Sequence, residues 1–374
     1  MSYIDRLIFK TKAFEKNENM DNLFNKAMIE AFSYHYSNSD SFKRLCDYYK
    51  KTPENIKDYR DIPFFFTGVL KKYDTITGKK EDVRLSLSSS GTGGKKTYIY
   101  LDQISLDRIT CIVNSIFDDM GMVSEIPSNH ICFTYDPEVA HDVGTAFSDK
   151  MLTSLAGPAE VFYTMKYNAE KDDFELDVEG TIEKLIEFSK DKDTPLRILG
   201  FPAHLYFTLQ EYYKKGNPQL KFDERSFVIT GGGWKNHTGK EIPKNEFKKL
   251  LSDMLGLPLE NIRDHFGMVE HGIPYVDCEH GNLHAPVYSK VFSVDPKNLN
   301  INKKGEEGIL ALYSPYINSY PSLAVLSTDK AVIRDDCPCG RGDYIDLIGR
   351  AGKKKHKGCA IVALDKLRGQ IDNK

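Results

Sequence analysis

The sequence lacks an apolar run long enough to cross a membrane, because no stretch approaches the ~18 residues that a spanning helix needs. It also lacks an excess of basic charge: 51 basic and 54 acidic residues leave a net charge of −3, which argues against a nucleic-acid-binding protein. The seven cysteines are scattered apart from one pair two residues apart, unlike the disulfide framework of a secreted protein. The first twenty residues mix both charge signs and lack the apolar segment of a secretory signal. These features predict a cytoplasmic protein with free thiols.

The composition, with 40% hydrophobic and 28% charged residues in 374, is that of a globular protein with a sizeable core. Apolar residues at helical spacing predict a helical segment over 1–62. Short apolar strands then alternate with amphipathic helices over 63–282, which predicts an α/β body with a largely parallel sheet. Residues 283–350 predict a small strand-rich subdomain, and 351–374 form a short basic tail.

The predicted strands of the body are 83–87, 97–101, 130–135, 159–163, 196–199 and 226–230. Helical patterns lie near 23–32 and 42–49, and later at 104–118, 179–190, 202–214 and 243–255. In the subdomain the predicted strands are 286–294, 308–313, 323–326, 332–334 and 344–348. The cysteines outside the motifs below, at 46, 111 and 132, lie in apolar patterns and are predicted to be buried and inert.

Residues 88–96 read Ser-Ser-Ser-Gly-Thr-Gly-Gly-Lys-Lys and lie between two predicted strands. Glycines let the backbone turn tightly and direct several N–H groups at one anion, while hydroxyls add donors and lysines add charge. A P-loop is excluded, because a lysine stands where that motif requires Ser or Thr. The alternative is a flexible turn. The predicted phosphate ligands are Ser89, Ser90, Gly91, Thr92, Gly93, Gly94 and Lys96.

This loop resembles the phosphate loop of the adenylate-forming enzymes, which include acyl-CoA synthetases and phenylacetate-CoA ligases. Four further segments make the chain most similar to the acyl-protein synthetases (LuxE type) of the bioluminescence fatty acid reductase complex. They are Ile-Pro-Phe-Phe-Phe-Thr at 62–67, Leu-Asp-Gln-Ile-Ser-Leu-Asp-Arg at 101–108, Ile-Thr-Gly-Gly-Gly-Trp-Lys at 229–235 and Lys-Gly-Cys-Ala at 357–360. The resemblance runs from about residue 20 to the end and implies the large α/β domain of that superfamily.

The resemblance implies a nucleotide pocket built from two turns. In the first, Gly231, Gly232 and Gly233 follow a predicted strand, and Trp234 with Lys235 would close one edge of a flat ligand. Taken alone, a triple glycine after a strand is more often a plain turn. The second turn, residues 266–270, matches the family motif Tyr-Gly-x-Thr-Glu. The implied roles are adenine stacking by Phe266, close backbone approach at Gly267 and Mg²⁺ binding by Glu270.

One position departs from that motif, since Val269 stands where the family usually has threonine, so a hydroxyl contact to the α-phosphate is expected to be missing. For Glu270 the alternative is a solvated helix residue. By the same resemblance, Asp329 would accept hydrogen bonds from the ribose hydroxyls and Arg350 would contact ribose or phosphate. Residues of these types at strand ends are otherwise structural.

Cys278, His284, Cys337 and Cys339 predict a zinc site, because thiolates plus one imidazole suit tetrahedral Zn²⁺ and four protein ligands make a site structural. His280 is a competing ligand. The segment Cys-Pro-Cys-Gly-Arg resembles phenylacetate-CoA ligase-like members that carry zinc here, whereas the LuxE-type proteins lack these cysteines. The alternative is four unconnected residues.

Only 24 residues follow Arg350, so the large mobile C-terminal domain of the superfamily, with its catalytic lysine, is expected to be absent. By resemblance Cys359 is the catalytic cysteine that accepts the acyl group. The lysines and histidine before it favour the thiolate, and nine extended residues could span ~30 Å from Arg350. Lys355 and Lys357 are candidates to replace the missing lysine. The alternative is an incidental cysteine in a basic tail.

The sequence therefore predicts a two-step ligase that uses ATP and Mg²⁺ to convert a carboxylic acid, by resemblance a long-chain fatty acid, into an acyl-adenylate and then acylates Cys359. The implied partner is an NADPH-dependent fatty acid reductase, and an oligomer is left open. Two alternatives remain: a ligase with coenzyme A as acceptor, and a non-catalytic scaffold that binds nucleotide or acyl groups for a reductase.

Overall fold

A computed structural model describes residues 1–67, 75–88, 98–136, 150–171, 173–232 and 242–350. The α-helices with described bounds are α1 Tyr3–Phe9, α2 Met20–Asn38, α3 Asp40–Tyr48, α4 Gln103–Asp119, α5 Val178–Lys190, α6 Pro202–Lys214 and α7 Lys244–Leu255. Residues 150–154 are also helical. Helices α1, α4 and α5 begin at side-chain caps, in which Ser2, Asp102 and Asp177 accept from a backbone N–H. The helical patterns predicted near 23–32 and 42–49 correspond to α2 and α3, and those in the body to α4–α7.

The same ranges contain fifteen strands: β1 Phe65–Phe66, β2 Val83–Ser88, β3 Tyr98–Asp102, β4 Ser128–Tyr135, β5 Pro158–Asn168, β6 Asp173–Leu176, β7 Leu196–Gly200, β8 Phe227–Gly231, β9 Ile262–Phe266, β10 Tyr275–Asp277, β11 Leu283–His284, β12 Lys290–Val294, β13 Glu307–Tyr313, β14 Ala324–Arg334 and β15 Tyr344–Arg350. Strands β2 and β3 form a separate antiparallel pair. The others form one sheet in the order β12-β13-β14-β15-β11-β10-β9-β8-β7-β4-β5-β6, with β1 beside β14.

The centre of this sheet is parallel, since β5, β4, β7, β8 and β9 all run in one direction. Helices α5, α6 and α7 lie between successive strands of this part, as crossover connections require. The predicted α/β fold with a largely parallel body is therefore confirmed. From β10 onward the strands are antiparallel and continue the same sheet. The division into 63–282 and 283–350 stays a prediction.

Helices cover both faces of the parallel strands. Alternate residues of β4 enter opposite clusters: Cys132 packs in the core that contains α1–α4, whereas Ile131 and Phe133 pack in the core that contains α5–α7. The predicted burial of the cysteines at 46 and 132 is confirmed, and Cys111 is half-buried. Among the described helices none combines the length and the apolarity that crossing a bilayer would require.

The strand predictions differ from the structure in two ways: one strand was predicted as two, and β1, β6, β9, β10 and β11 were not predicted. The segments 323–326 and 332–334 are one strand, β14, because its polar middle pairs with β15, placing Asp329 opposite Arg350 and Lys330 opposite Gly349. Strand β9 was not predicted, because Arg263 and Asp264 make 262–266 look solvent-exposed. In the fold the Arg263 guanidinium is buried and donates to the Asp277 carbonyl at 2.9 Å. Tertiary partners override the local polar pattern in both cases.

Candidate functional site

The predicted phosphate loop is flanked by an antiparallel hairpin. Strand β2 ends at Ser88 and β3 begins at Tyr98, and these two residues face each other. The predicted ligands themselves, namely Ser89, Ser90, Gly91, Thr92, Gly93, Gly94 and Lys96, lie outside the described residues. Their flanks show that the segment connects the ends of two paired strands.

The first glycine turn lies at the carboxyl end of β8. A side chain at Gly231 would place its Cβ 2.3 Å from a ring carbon of His265, whose Nδ1 is held 2.9 Å from the Thr230 carbonyl oxygen. Gly232 has φ 84° and would meet the ring of Phe201 at 3.0 Å. Both positions therefore require glycine. Residues Gly233, Trp234 and Lys235 lie outside the described residues.

The second turn lies beside the first. Gly231 is paired with His265, so the end of β9 at Phe266 and the following Gly267 lie at the same edge of the parallel sheet. The Phe266 ring is half-buried and tilted against Tyr275 with ring centroids 6.1 Å apart. Gly267 is exposed, and a Cβ there would have only the Ile273 carbonyl within 4 Å. The structure thus brings the two predicted nucleotide turns together at the carboxyl ends of parallel strands, where α/β sheets bind ligands.

Glu270 follows this turn and is only 8% exposed. The alternative of a solvated helix residue is therefore wrong. Its backbone carbonyl accepts a hydrogen bond from the Ser322 hydroxyl. The fully buried Tyr320 has a pKa raised well above its usual value, first by burial and then by the charge of Glu270, which places this phenol near the carboxylate. Val269 packs against the hydrophobic core, so an apolar residue suits this position.

The two predicted ribose residues face each other on β14 and β15. Arg350 Nε lies 3.4 Å from Asp329 Oδ1, and the pair is directly in register. The carboxylate side chain is 17% exposed and the guanidinium 44%. The backbone N–H of Asp329 donates to the Ser327 hydroxyl at 2.9 Å, which fixes the local strand geometry. An accessible acid–base pair of this kind can exchange its mutual contact for hydroxyl or phosphate groups of a ligand.

Sequence reasoning missed a segment that connects the hairpin to Glu270. Residues 314–322 follow β13, and their side chains reach β3 at one end and the Glu270 carbonyl at the other. The only signal in the sequence is a segment with three serines, two prolines and an asparagine between two apolar strands, which is also typical of an ordinary loop. Its contacts are long-range in sequence, so no local pattern reveals them.

The four predicted zinc ligands come together. Their ligand atoms all lie within 4.8 Å of one another, with Cys278 Sγ 3.7 Å from Cys337 Sγ and Cys339 Sγ 3.1 Å from His284 Nε2. Tetrahedral Zn²⁺ with ~2.3 Å bonds to sulfur needs ligand atoms about 3.8 Å apart, so the spacing fits. His280, the competing candidate, is 45% exposed and lies 4.0 Å from Glu279 instead.

Two tight turns present these ligands. Gly281 and Gly340 have positive φ, and their N–H groups donate to the carbonyls of Cys278 and Cys337 at 2.9 and 3.0 Å. Burial raises the pKa of the Cys278 thiol to about 12, so this sulfur ionises only with positive charge beside it.

Arg341 anchors the second of these turns. It forms ion pairs with Asp119 at 2.8 Å and Glu279 at 2.9 Å next to the cluster. Because Arg341 also contacts the last residue of α4, the second turn is attached to the helical layer.

A buried ion-pair network adjoins the cluster. Asp277, immediately before Cys278, is fully buried. Its carboxylate oxygens form ion pairs with the Nζ atoms of Lys244 at 2.6 Å and Lys248 at 3.4 Å, both on α7. It also accepts from the backbone N–H of Asp264 at 3.1 Å. Burial raises the pKa of the Asp264 carboxyl, and Lys244 opposes that rise. Through Asp277 the cysteine cluster is connected to helix α7 and to β9.

The predicted acyl acceptor and its neighbours lie outside the described residues, since Cys359, Lys355 and Lys357 fall within 351–374. Arg350, the last described residue, lies beside Asp329.

Comparisons with known proteins come from sequence and from structure. Residues 1–368 match the family described as "Acyl-protein synthetase, LuxE". The long-chain-fatty-acid–luciferin-component ligase of Aliivibrio fischeri is 29% identical over 364 residues, which cover 96% of this chain and 93% of that relative. The ligase of the same name from Vibrio harveyi is 26% identical over 362 residues, covering 96% and 92%.

Among solved structures, 2-hydroxyisobutyryl-CoA ligase in complex with 2-HIB-AMP and CoA has a TM-score of 0.69 at 14% identity, covering 96% of this chain and 74% of that chain. An open conformation of the same ligase has a TM-score of 0.68 at 13% identity, covering 92% and 79%. At this identity the likeness shows a shared fold.

Proposed function

Because the chain belongs to the acyl-protein synthetase (LuxE) family, we propose that it activates a long-chain fatty acid with ATP and transfers the acyl group to its own Cys359. The observation that carries this proposal is the meeting of the 231–232 turn, the 266–267 turn and the buried Glu270 at the carboxyl ends of β8 and β9. A parallel sheet offers its binding crevice at that edge. Two glycines without room for a Cβ suit the close approach of a flat base.

Each residue of the site has a proposed role in binding ATP. Phe266 stacks on the adenine, Asp329 accepts from the ribose hydroxyls, and Arg350 contacts ribose or phosphate. The 89–97 segment holds the phosphates through backbone N–H groups, hydroxyls and Lys96. Glu270 holds Mg²⁺, which when bound neutralises charge on the phosphates. The role of the protein is to orient the fatty carboxylate in line with the α-phosphorus.

The proposed chemistry has two steps. A carboxylate oxygen attacks the α-phosphorus and forms a P–O bond, while the bond to the pyrophosphate breaks and pyrophosphate leaves. The Cys359 thiolate then attacks the acyl carbonyl, AMP leaves with the bonding electrons, and a thioester remains. We propose that an NADPH-dependent fatty acid reductase takes the acyl group from this thioester. A reducing compartment such as the cytoplasm suits this chemistry, and the six described cysteines are free thiols.

Acid-dependent release of pyrophosphate from ATP tests this function. Purified protein with ATP and Mg²⁺ is expected to release pyrophosphate when a fatty acid of suitable length is added, and to show little release without acid. A panel of acids from short to long chain identifies the substrate class. Inactivity with every acid in the panel would instead favour the non-catalytic scaffold.

For the cysteine cluster we propose a structural Zn²⁺ held by Cys278, His284, Cys337 and Cys339. The donor set, its burial and its spacing support this assignment. The four ligands leave no open position, so the ion would hold the two turns together and support the network of Asp277 with α7.

Zinc content provides the corresponding prediction. The wild-type protein is expected to contain about one zinc per chain, and Cys337→Ser is expected to lose it and to unfold at lower temperature, because metal binding contributes directly to folding. Elemental analysis and thermal denaturation measure both effects. Cys111→Ser, half-buried and outside the cluster, is the matched control and should retain zinc. Metal-free wild-type protein with unchanged thermal stability would contradict the assignment.

A further inference from the structure

We propose that Ser319 is a positioning residue for the adenylation step: it holds the hairpin next to the 89–97 segment at a set distance from Glu270. This inference rests on the proposed function, because it assigns both ends of the connection to one nucleotide site. The structural observation is that residues 318–322 contact β3 at one end and the Glu270 turn at the other.

At the hairpin end, the Ser319 hydroxyl makes two contacts with the backbone of β3. It donates to the Tyr100 carbonyl at 2.7 Å and accepts from the Asp102 N–H at 3.0 Å. The Ser319 carbonyl also accepts from the N–H of Thr77 at 2.8 Å. The side chain is 3% exposed, so water does not compete easily for these groups. One small residue therefore ties this segment to the strand that follows 89–97.

Asn318 reinforces this contact through the cap of helix α4. Its side-chain amide donates to the Asp102 carboxylate at 2.6 Å, and its backbone N–H donates to the Ser105 hydroxyl at 2.8 Å. The same carboxylate accepts from the Ser105 N–H at 2.8 Å as the helix cap. Asp102 belongs to the 101–108 segment that resembles the acyl-protein synthetases. Its carboxylate joins β3, α4 and the 318–322 segment at one point.

At the other end, the segment contacts the Glu270 turn. The Ser322 hydroxyl donates to the Glu270 carbonyl. Burial, and after it the Glu270 charge, raise the pKa of Tyr320. Tyr320 also packs edge-on against Phe65, with ring centroids 6.2 Å apart. Ser322 lies three positions after Ser319, so their Cα atoms are at most about 11 Å apart. The hairpin and the carboxylate are thus joined over a short distance.

The physical consequence concerns ATP more than the acid. A phosphate loop and a metal-binding carboxylate bind one triphosphate only when their separation is right, and a small displacement weakens both contacts at once. Removing the Ser319 hydroxyl breaks two of the hydrogen bonds that hold β3. ATP is therefore expected to bind more weakly, with little effect on the Michaelis constant for the fatty acid.

The test compares Ser319→Ala with Ser226→Ala in the full chain. Ser226 is also a fully buried serine that accepts from a backbone N–H, that of Leu196 at 2.8 Å, but it lies just before the amino end of β8, at the opposite edge of the parallel strands from Gly231. Acid-dependent exchange of pyrophosphate into ATP, which does not consume Cys359, gives the Michaelis constants for ATP and for the acid, and hydrogen exchange reports the amides of 98–102.

Ser319→Ala is expected to raise the ATP Michaelis constant about tenfold, the size given by one or two lost buried hydrogen bonds, and to leave that for the acid within about twofold. It should also speed exchange over 98–102, whereas Ser226→Ala should do neither. Equal effects of the two variants on ATP would overturn the proposal, as would unchanged exchange over 98–102. If wild-type protein releases no pyrophosphate, the proposed function fails, and the exchange comparison still decides whether Ser319 holds the hairpin.

Discussion

Cys359→Ser is expected to abolish the persistent acyl–protein bond while acid-dependent exchange of pyrophosphate into ATP continues at close to the wild-type rate. The reason is that the two proposed steps use different groups. Formation of the adenylate needs the nucleotide site, whereas formation of the thioester needs a thiolate. Intact-protein mass spectrometry after incubation with ATP, Mg²⁺ and fatty acid measures the first effect, and radiolabelled pyrophosphate exchange measures the second.

Two controls sharpen this experiment. Cys359→Ala has no hydroxyl on which an ester could form slowly. Cys111→Ser tests whether the loss of any cysteine is enough to abolish acylation. Persistent acylation in Cys359→Ala would show that another residue is the acceptor. Formation of acyl-CoA that is indifferent to Cys359 would favour the ligase with coenzyme A as acceptor. The Cys359 variants therefore distinguish between the two enzyme hypotheses.

The second large effect is expected from Glu270→Gln, which should lower the rate of acid-dependent pyrophosphate release by about 100-fold or more, the range typical of a lost electrostatic contact in a reaction centre. Glutamine keeps the size of the side chain but loses the charge proposed to hold Mg²⁺. The fold should persist, because the Ser322 contact goes to the backbone carbonyl and not to the carboxylate. The pyrophosphate-release rate as a function of Mg²⁺ concentration is the measurement.

Thermal denaturation separates this effect from loss of fold. Glutamine keeps the size of the side chain and leaves the contact of Ser322 with the backbone carbonyl in place, so Glu270→Gln should remain folded and unfold close to the wild-type temperature. Glu179→Gln is the surface control, since that side chain is 72% exposed and pairs with Lys215. A Glu270→Gln enzyme that keeps the wild-type rate would remove Glu270 from the reaction.

Much of the candidate site was predictable because its chemistry is local in sequence. Family, fold class and enzyme class, an ATP-dependent acyl-activating ligase, are confirmed by the match over residues 1–368 and by the shared fold. The two glycine turns come together at one edge of the sheet. The zinc ligands also come together, although Cys337 lies 59 positions after Cys278. This cluster was predictable because few other roles suit cysteine and histidine in that pattern.

Other features were not predictable because they depend on partners far away in the chain. Strand β9 has a polar sequence because its partner is the distant Asp277, whose carboxylate accepts from the Asp264 N–H. The polar middle of β14 is typical of a turn, but in the fold it pairs with β15. Serine at 319 carries no signal of its own, since serine is common in loops, and its contacts with β3 span 217 and 219 residues.

Most helices and strands and the available chemistry could be predicted from the sequence, because helix and strand periods, glycine turns and thiol or carboxylate ligands are properties of residues near one another in the chain. Only the tertiary structure shows that Glu270 is buried and that one short segment joins its turn to the hairpin. It also decided that Asp329 faces Arg350 across two strands. These arrangements arise from long-range pairing and burial, which a reading of neighbouring residues does not contain.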